Sequence, residues 1–219
     1  MQATVAMSKP VLAWLLGRGV AKALGFEWRV ADEDYAAYRR GALSRPELEG
    51  RIRAALGRFQ EGKALDSRRL RGFLDALPGG WEHRFVTTNW NTLLDRALAE
   101  YRVEVVHLNG SLDAPEEPLL IEHDMHESFD KPGFRALLRA SGCVIAGLSL
   151  RSTLDRRMLE RLCSEPTGPK RWWVVNPESR HLEGTCRVLS GCVERIALPF
   201  EAWVEAGLPG IGQGMTERA

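Results

Sequence analysis

Polar residues that could bind a ligand or move a proton are concentrated in two short stretches of this sequence. The stretch VVHLNGSLD, residues 105–113, carries His107 and Asn109 in a turn that follows a β-branched run. The stretch TTNWN, residues 87–91, carries Asn89 and Asn91. An imidazole takes up a proton near neutral pH, whereas an amide only donates and accepts hydrogen bonds. The two stretches predict a polar-ligand site, and residue 109 decides whether a general base serves it.

Three further places combine small or polar residues with the end of an apolar run. Gly17-Arg18-Gly19 follows PVLAWLL, and it indicates either a phosphate-binding loop or a tight turn from strand to helix. The pair of glycines lacks the third glycine of a dinucleotide-binding fingerprint. Gly147 and Ser149 follow a second apolar run, and Asn176 closes a third.

The elements that must position these residues alternate along the chain. Residues 10–28 are predicted to form a strand and the start of a helix. Further strands are predicted at 84–88, 103–108, 143–150 and 171–176, and helices at 91–101, 132–140 and 152–162. A last strand and helix are predicted within 192–208. This alternation predicts a parallel sheet with right-handed crossovers and helices on both faces. Ligands of such sheets bind beyond the carboxyl ends of the strands, where all the polar stretches fall.

Residues 30–78 break the alternation with a helical pattern, in which Ser44-Arg45-Pro46-Glu47 supplies a helix start. The fold prediction is therefore one α/β domain over residues 1–219, with a Rossmann-like parallel sheet, helices on both faces and a small helical insert at 30–78.

Composition excludes some classes of function. The net charge is +1, so the chain as a whole has no electrostatic attraction to nucleic acid or anionic membrane. The basic stretch at 51–71 is interpreted as a solvated helix face, with a nucleic-acid footprint as the alternative. The start of the chain does not have the pattern of a signal peptide, and no apolar run reaches about 18 residues. We therefore expect a cytoplasmic location and no membrane contact.

Metal binding is not expected. The sequence has 4 cysteines but no C-x-x-C pair, which predicts buried thiols and no zinc site. Glu122, His123 and His126 are interpreted as a polar loop, because two histidines at this spacing do not have a convincing third ligand.

Taken in order, the polar stretches resemble the motifs of the sirtuin family, and more closely its bacterial sirtuin-like branch found in defence-associated proteins. LLGRGVAKALG resembles the family's G-A-G-x-S loop, TTNWNTLLDRAL its T-x-N-x-D-x-L-x-E segment, VVHLNGSLD its L-H-G-S turn, AGLSL its G-x-S-L loop and WWVVNP its strand ending in Ile-Asn. The resemblance covers residues 12–177. It implies a Rossmann-like fold that binds NAD or ADP-ribose over the strand ends.

The resemblance also implies roles for individual residues. Gly17 and Gly19 would let the backbone approach the pyrophosphate, and Gly147 and Ser149 would touch the adenosine and phosphate side. Asn176 would hold the adenosine ribose. Asn89 matches the residue that positions the nicotinamide ribose and the attacking water, although it could equally cap the helix that follows it.

Several positions depart from the family pattern. Asn109 stands where the family has its general-base histidine, and an amide cannot accept a proton. Asn91 replaces the aspartate that meets the nicotinamide carboxamide, Ala21 replaces a serine, and Arg18 replaces a small residue, where it could clasp phosphate or occlude the loop. His107, two residues before Asn109 on a strand, should project to the same side and is the candidate substitute base. The family's zinc-binding cysteines are absent, so protein deacylation is not expected.

Three functions fit this sequence. The first is a nucleotide-binding protein for NAD or ADP-ribose with weak or no catalysis. The second is an NAD glycohydrolase, which would cleave NAD to ADP-ribose and nicotinamide, in bacterial defence for example. The third is a structural subunit whose pocket Arg18 occludes. An oligomer or an operon partner fits any of the three, and nucleic acid is not expected as a ligand.

Overall fold

The computed structural model describes residues 9–26, 32–120, 132–148, 153–177 and 193–211. Six strands form one sheet in the order β3-β2-β1-β4-β5-β6, and every neighbouring pair is parallel. The strands are β1 (Val11–Leu16), β2 (Glu82–Thr87), β3 (Val105–His107), β4 (Gly142–Ala146), β5 (Arg171–Val175) and β6 (Val193–Ile196). This is the doubly wound order of dinucleotide-binding folds.

Helices lie between the strands along the chain. In the described ranges they are α1 (Arg18–Ala23), α2 (Asp32–Arg39), α3 (Arg45–Gln60), α4 (Ser67–Asp75), α5 (Leu93–Ala99), α6 (Pro132–Leu138), α7 (Thr153–Ser164) and α8 (Phe200–Glu205). Helices α2 to α4 occupy the stretch between α1 and β2 for which the helical insert was predicted. The alternation confirms the α/β prediction.

The central strand β1 separates two apolar layers, because its side chains alternate between the faces of the sheet. Leu12, Trp14 and Leu16 pack on one face, against residues of α1, α3, α4, α5 and α8. Ala13 and Leu15 pack on the other face, against α6 and α7. All five side chains are fully buried. Helices therefore cover both faces of the sheet, as the sequence predicts.

Local signals explain where α3 begins. Ser44 is its N-cap, and the Ser44 hydroxyl accepts a hydrogen bond from the backbone N–H of Glu47. The carboxylate of Glu47 accepts in return from the backbone N–H of Ser44 at 2.8 Å. This reciprocal pair satisfies two donors that the first turn would otherwise leave without partners. The predicted helix start at Ser44 is confirmed.

Two expectations about element ends were wrong. The strand predicted at 143–150 ends at Ala146, because Gly147 adopts a φ of 69° and turns the chain out of the sheet. Asn89 does not cap the next helix, because α5 begins at Leu93 with Thr92 as its N-cap. Ser152, the first residue of the helix predicted at 152–162, lies outside the described residues.

The basic stretch at 51–71 is mostly a solvated face, as interpreted. Its exposed members are Arg51, Arg58, Lys63, Arg68, Arg69 and Arg71. Arg53 differs, since its side chain is 20% exposed and points into the protein. None of the helices in the described ranges has the length and apolar composition needed to span a bilayer.

Candidate functional site

The strand order places a topological switch point between β1 and β4. These strands are neighbours, but the helices that follow them pack on opposite faces of the sheet, α1 on one and α7 on the other. The helices that follow the two strands therefore diverge, and in doubly wound sheets ligands bind at such a point. Both predicted glycine loops, at Gly17 and at Gly147, flank this point.

The glycines of the two loops interlock backbone against backbone. Gly17 N–H donates to the carbonyl of Ala146 at 2.8 Å, and Gly19 N–H donates to the carbonyl of Gly147 at 2.8 Å. A Cβ on Gly17 would lie 2.5 Å from the Gly147 oxygen, and one on Gly147 would lie 2.3 Å from the Val20 nitrogen. Both glycine amides therefore already donate within the fold. Packing between the loops explains why glycine is needed at these positions.

Asn176, Arg18 and Ser149 were also predicted to lie around the glycine loops. Asn176 is 7% exposed, and its amide nitrogen donates to the carbonyl of Leu148 at 3.2 Å. It thereby fixes the loop that leaves β4. Arg18 is exposed. Ser149, which was expected to complete this loop, lies outside the described residues.

The asparagines lie on the other side of β1, at the ends of β2 and β3. Residues 88–92, called the amide loop below, leave β2 and are held by the segment that leaves β3. Three successive carbonyls of the amide loop accept hydrogen bonds from that segment. Thr88 accepts from Asn109 Nδ2 at 3.1 Å, Asn89 from His107 Nδ1 at 2.7 Å, and Trp90 from the backbone N–H of Leu112 at 2.9 Å. The sheet order therefore brings both predicted asparagine stretches together.

These asparagines form a buried neutral cluster. Asn89 and Asn109 are each 6% exposed and Asn91 is 2% exposed. The Asn91 oxygen accepts from the backbone N–H of Leu93 at 3.4 Å, but Asn91 Nδ2 is buried with no hydrogen-bond partner. Leaving a buried amide donor unpaired costs about 1–3 kcal/mol. Asn91 Nδ2 has almost no exposed surface, so a ligand could accept from it and recover this cost only if the surrounding loop moved.

Glycine is also required in the turn that carries Asn109. Gly110 has a φ of 84°, and a Cβ there would lie 2.5 Å from the carbonyl oxygen of Pro118. The main-chain oxygen of Asn109 accepts from the N–H of Leu120 at 2.8 Å. The turn is thus fixed on both sides of Asn109, which holds that side chain against the amide loop.

His107 is bonded at both ring nitrogens. Nδ1 lies 2.7 Å from the Asn89 carbonyl oxygen, and Nε2 lies 2.9 Å from Asp95 Oδ1 and 3.0 Å from Asp95 Oδ2. As its spacing predicts, His107 reaches the same segment as Asn109. A general base needs a ring nitrogen whose lone pair faces the substrate. Here both nitrogens face acceptors within the protein.

Sequence patterns did not reveal the residues that support this cluster. Gln60, the last residue of α3, is 6% exposed, and its Oε1 accepts from the backbone N–H of Thr92 at 3.2 Å. Asp95, the partner of His107, falls at the last position of the T-x-N-x-D-x-L-x-E segment that TTNWNTLLDRAL resembles. That position was the available signal for Asp95, while no local signal marks Gln60, because its partner is 32 residues away.

Helix α3 also holds the segment beyond the Asn109 turn. Arg53 donates from Nη1 to the carbonyl of Ser111 at 3.1 Å and from Nη2 to the carbonyl of Glu117. Its Nε donates to Glu49 at 3.0 Å, and Glu49 accepts from the backbone N–H of Leu119 at 3.1 Å. The insert therefore fixes the loop that follows β3.

No cluster of three His, Cys, Asp or Glu side chains suited to a metal ion occurs within the part of the chain that the structure describes. Glu122, His123 and His126 fall outside that part. Cys143 is buried, and the other cysteine side chains are not among those described.

Comparison with known proteins does not assign the chain to a family. No family model matches the sequence, and no curated protein matches it.

Proposed function

We propose that this chain is a divergent sirtuin-like protein that binds NAD, ADP-ribose or a related nucleotide, with weak or no catalysis. The observation that carries the proposal is the buried Nδ2 of Asn91, which has no hydrogen-bond partner among the described residues and lies with other neutral amides beyond the strand ends. Protein interiors rarely leave such a donor unpaired. A ligand acceptor at this position would remove the anomaly.

The chemistry of the cluster suits a neutral part of a nucleotide. Asn89, Asn91 and Asn109 offer amide donors and acceptors without net charge, which complements a carboxamide or the hydroxyl groups of a ribose. Under this proposal Asn91 would hold the nicotinamide carboxamide, and Asn89 and Asn109 would contact the adjacent ribose. Asn176 would contact the adenosine ribose on the other side of β1.

Low catalytic power follows from the same residues. Bound NAD would supply a glycosidic bond whose cleavage releases nicotinamide. Asn109 cannot take a proton from the ribose or from water, and both nitrogens of His107 are already bonded to acceptors. Loss of one positioned base typically costs about 10²- to 10⁴-fold in rate. Binding without efficient turnover is the expected behaviour.

Calorimetric titration with NAD, ADP-ribose and nicotinamide, run beside a nicotinamide-release assay, tests the proposal. We expect NAD and ADP-ribose to bind with little release of nicotinamide. Rapid release would establish an NAD glycohydrolase instead, and no binding of any of the three ligands at millimolar concentration would favour the structural subunit.

The Asn91→Ala variant sharpens the test, because ADP-ribose has no carboxamide. If Asn91 holds the carboxamide, the variant should bind NAD about 3- to 10-fold more weakly, as expected for one neutral hydrogen bond. Its affinity for ADP-ribose should be unchanged, which gives an internal control for correct folding. Equal losses for both ligands would contradict the assignment of Asn91.

A further inference from the structure

His107 joins two elements that carry the candidate site. It is the last residue of β3, its side chain is 8% exposed, and its two ring nitrogens reach the carboxylate of Asp95 on α5 and the carbonyl of Asn89 in the amide loop. The sequence resemblance gives no role to Asp95, and the proposed function gives none to the pair. The pair lies directly behind the amides that would touch a ligand.

The partners of the ring determine its protonation. The Asn89 carbonyl is only an acceptor, so the Nδ1 that lies 2.7 Å from it must carry a hydrogen. A carboxylate is also only an acceptor, so Nε2 must carry a hydrogen as well. A ring with both hydrogens is an imidazolium cation, and its charge strengthens both hydrogen bonds.

We propose that His107 is a positioning residue. As an imidazolium it donates one hydrogen bond to the Asp95 carboxylate and one to the Asn89 carbonyl. This pair of hydrogen bonds holds the amide loop in its ligand-binding conformation. The site would then lose affinity when His107 gives up a proton, because a neutral ring can donate only one of the two hydrogen bonds. The ligand-affinity part of this inference rests on the proposed function. The two hydrogen bonds of His107 do not depend on the proposed function.

The surrounding charges agree with this assignment. Burial by itself lowers the pKa of His107, but the hydrogen bond and charge of Asp95, the Asn89 carbonyl and the charge of Asp113 outweigh burial and raise the pKa above 6.5. Arg96 lies 3.8 Å from Asp113, at an exposed position. Strand β2 and helix α6, which also contact β3, carry Glu82, His83, Arg84 and Arg135 in the described ranges, and none of these is among the groups that shift the pKa of His107.

Nuclear magnetic resonance of the full chain tests the two hydrogen bonds of His107 without any ligand. In the wild type we expect hydrogens on both ring nitrogens of His107 and a titration midpoint above 6.5. Asp95→Asn should lower that midpoint, whereas Glu100→Gln, which removes an exposed carboxylate at the end of the same helix, should not. A wild-type ring that titrates at or below 6.5 would overturn the proposal.

Hydrogen exchange tests whether the two hydrogen bonds of His107 hold the amide loop. The backbone N–H of Leu112 donates to Trp90 in the amide loop, so loosening of that loop should expose it. We expect its exchange to be about 10-fold faster in His107→Gln and in Asp95→Asn than in the wild type. Asp95→Asn carries this test alone if His107→Gln does not fold, since the Asp95 side chain is 32% exposed. Unchanged exchange would overturn the positioning role.

Titration with ADP-ribose over a range of pH separates this inference from the proposed function. Wild-type affinity should fall as pH rises through the midpoint measured for His107, whereas His107→Gln should bind about 10-fold more weakly at low pH and show no such fall. If the wild type binds no ADP-ribose, the proposed function fails, and the resonance and exchange measurements decide on His107. Equal affinity and an equal pH profile in wild type and variant would overturn the positioning role.

Discussion

Asn109 Nδ2 donates to the carbonyl oxygen of Thr88 at 3.1 Å, across the gap between the loops that leave β3 and β2. Asn109, which the sequence resemblance would place at a general-base position, is therefore a structural donor in this chain. A histidine here could keep the same contact through Nδ1–H and still present Nε2 as a base.

Asn109→His should for this reason raise the release of nicotinamide from NAD. We expect an increase of about 10-fold or more, because one positioned base is worth up to about 10⁴-fold. A fluorimetric or chromatographic nicotinamide assay at saturating NAD measures it. Asn89→Ala in the Asn109→His background should abolish the gain.

Two other outcomes of that experiment have distinct meanings. Tight NAD binding without any gain would show that the ribose is misaligned, with Asn91 and Ala21 as the first positions to examine. If the wild type already cleaves NAD and His107→Ala stops cleavage while Asn109→His changes nothing, then His107 is the base and its positioning role is wrong.

Gly147→Ala should destabilise the protein strongly. The new Cβ would lie 2.3 Å from the Val20 nitrogen, and the φ of 69° is costly for any residue with a Cβ. We expect a loss of about 3 kcal/mol in the free energy of unfolding, measured by urea denaturation. Gly57→Ala is the matched control, because that glycine is exposed within α3 with nothing within 4 Å of a Cβ. The control should gain about 0.5–1 kcal/mol.

Arg53→Ala should loosen the loop that follows the Asn109 turn. The variant removes charged donors from the carbonyls of Ser111 and Glu117, and we expect a loss of about 2 kcal/mol in the free energy of unfolding. Hydrogen exchange should accelerate at Leu119, whose N–H donates to Glu49. Arg51→Ala removes an exposed ion pair to Asp34 from the same helix and should cost less than about 1 kcal/mol. Equal losses in the two variants would contradict the role of Arg53.

His83 should make folding stability sensitive to acid. Its Nδ1 accepts from the Trp14 indole at 3.0 Å and its Nε2 lies 3.1 Å from the Pro78 carbonyl, so the ring is neutral. Burial lowers its pKa below 6.5, despite the Pro78 carbonyl. The unfolded chain therefore binds the proton first, and stability is full above 6.5 and falls as pH drops through the folded-state pKa. Chemical denaturation of the wild type and His83→Gln against pH measures the difference, which should shrink in acid.

His107 should respond to pH in the opposite direction. Its pKa is raised in the folded state, so the stability it contributes is full below 6.5 and is lost as pH rises through the folded-state pKa. The difference in unfolding free energy between wild type and His107→Gln should therefore shrink in base. If this difference in unfolding free energy were constant with pH, the pKa of His107 would be the same in the folded and unfolded states.

Much of the fold could be predicted because its signals are local. The fully buried strands β1 and β4 stand out as short apolar runs, and Ser44 with Glu47 marks a helix start by spacing alone. The asparagines of the candidate site could be placed at strand ends for the same reason. Strand boundaries were less certain, since Gly147 ends β4 through a backbone conformation that an apolar pattern does not encode.

The supporting contacts of the site could not be predicted, because they depend on which strands are neighbours. His107 meets Asn89 only because β3 lies beside β2, and Arg53 meets Ser111 only because α3 packs over that edge. In the sequence, Arg53 is one of several arginines in a basic stretch. The lack of a hydrogen-bond partner for Asn91 Nδ2 among the described residues likewise depends on packing, so the sequence alone could not predict it.

The interlocked glycine loops also bear on how the chain emerges from the ribosome. Strand β1 is made early and has β2 and β4 as its two neighbours, but β4 follows only after the insert, β2 and β3. Until then one edge of β1 is unpaired and Gly17 has no Ala146 carbonyl to contact. Exposed apolar strand edges promote association between nascent chains. The period between synthesis of β2 and β4 is thus when an edge of β1 is exposed to other chains.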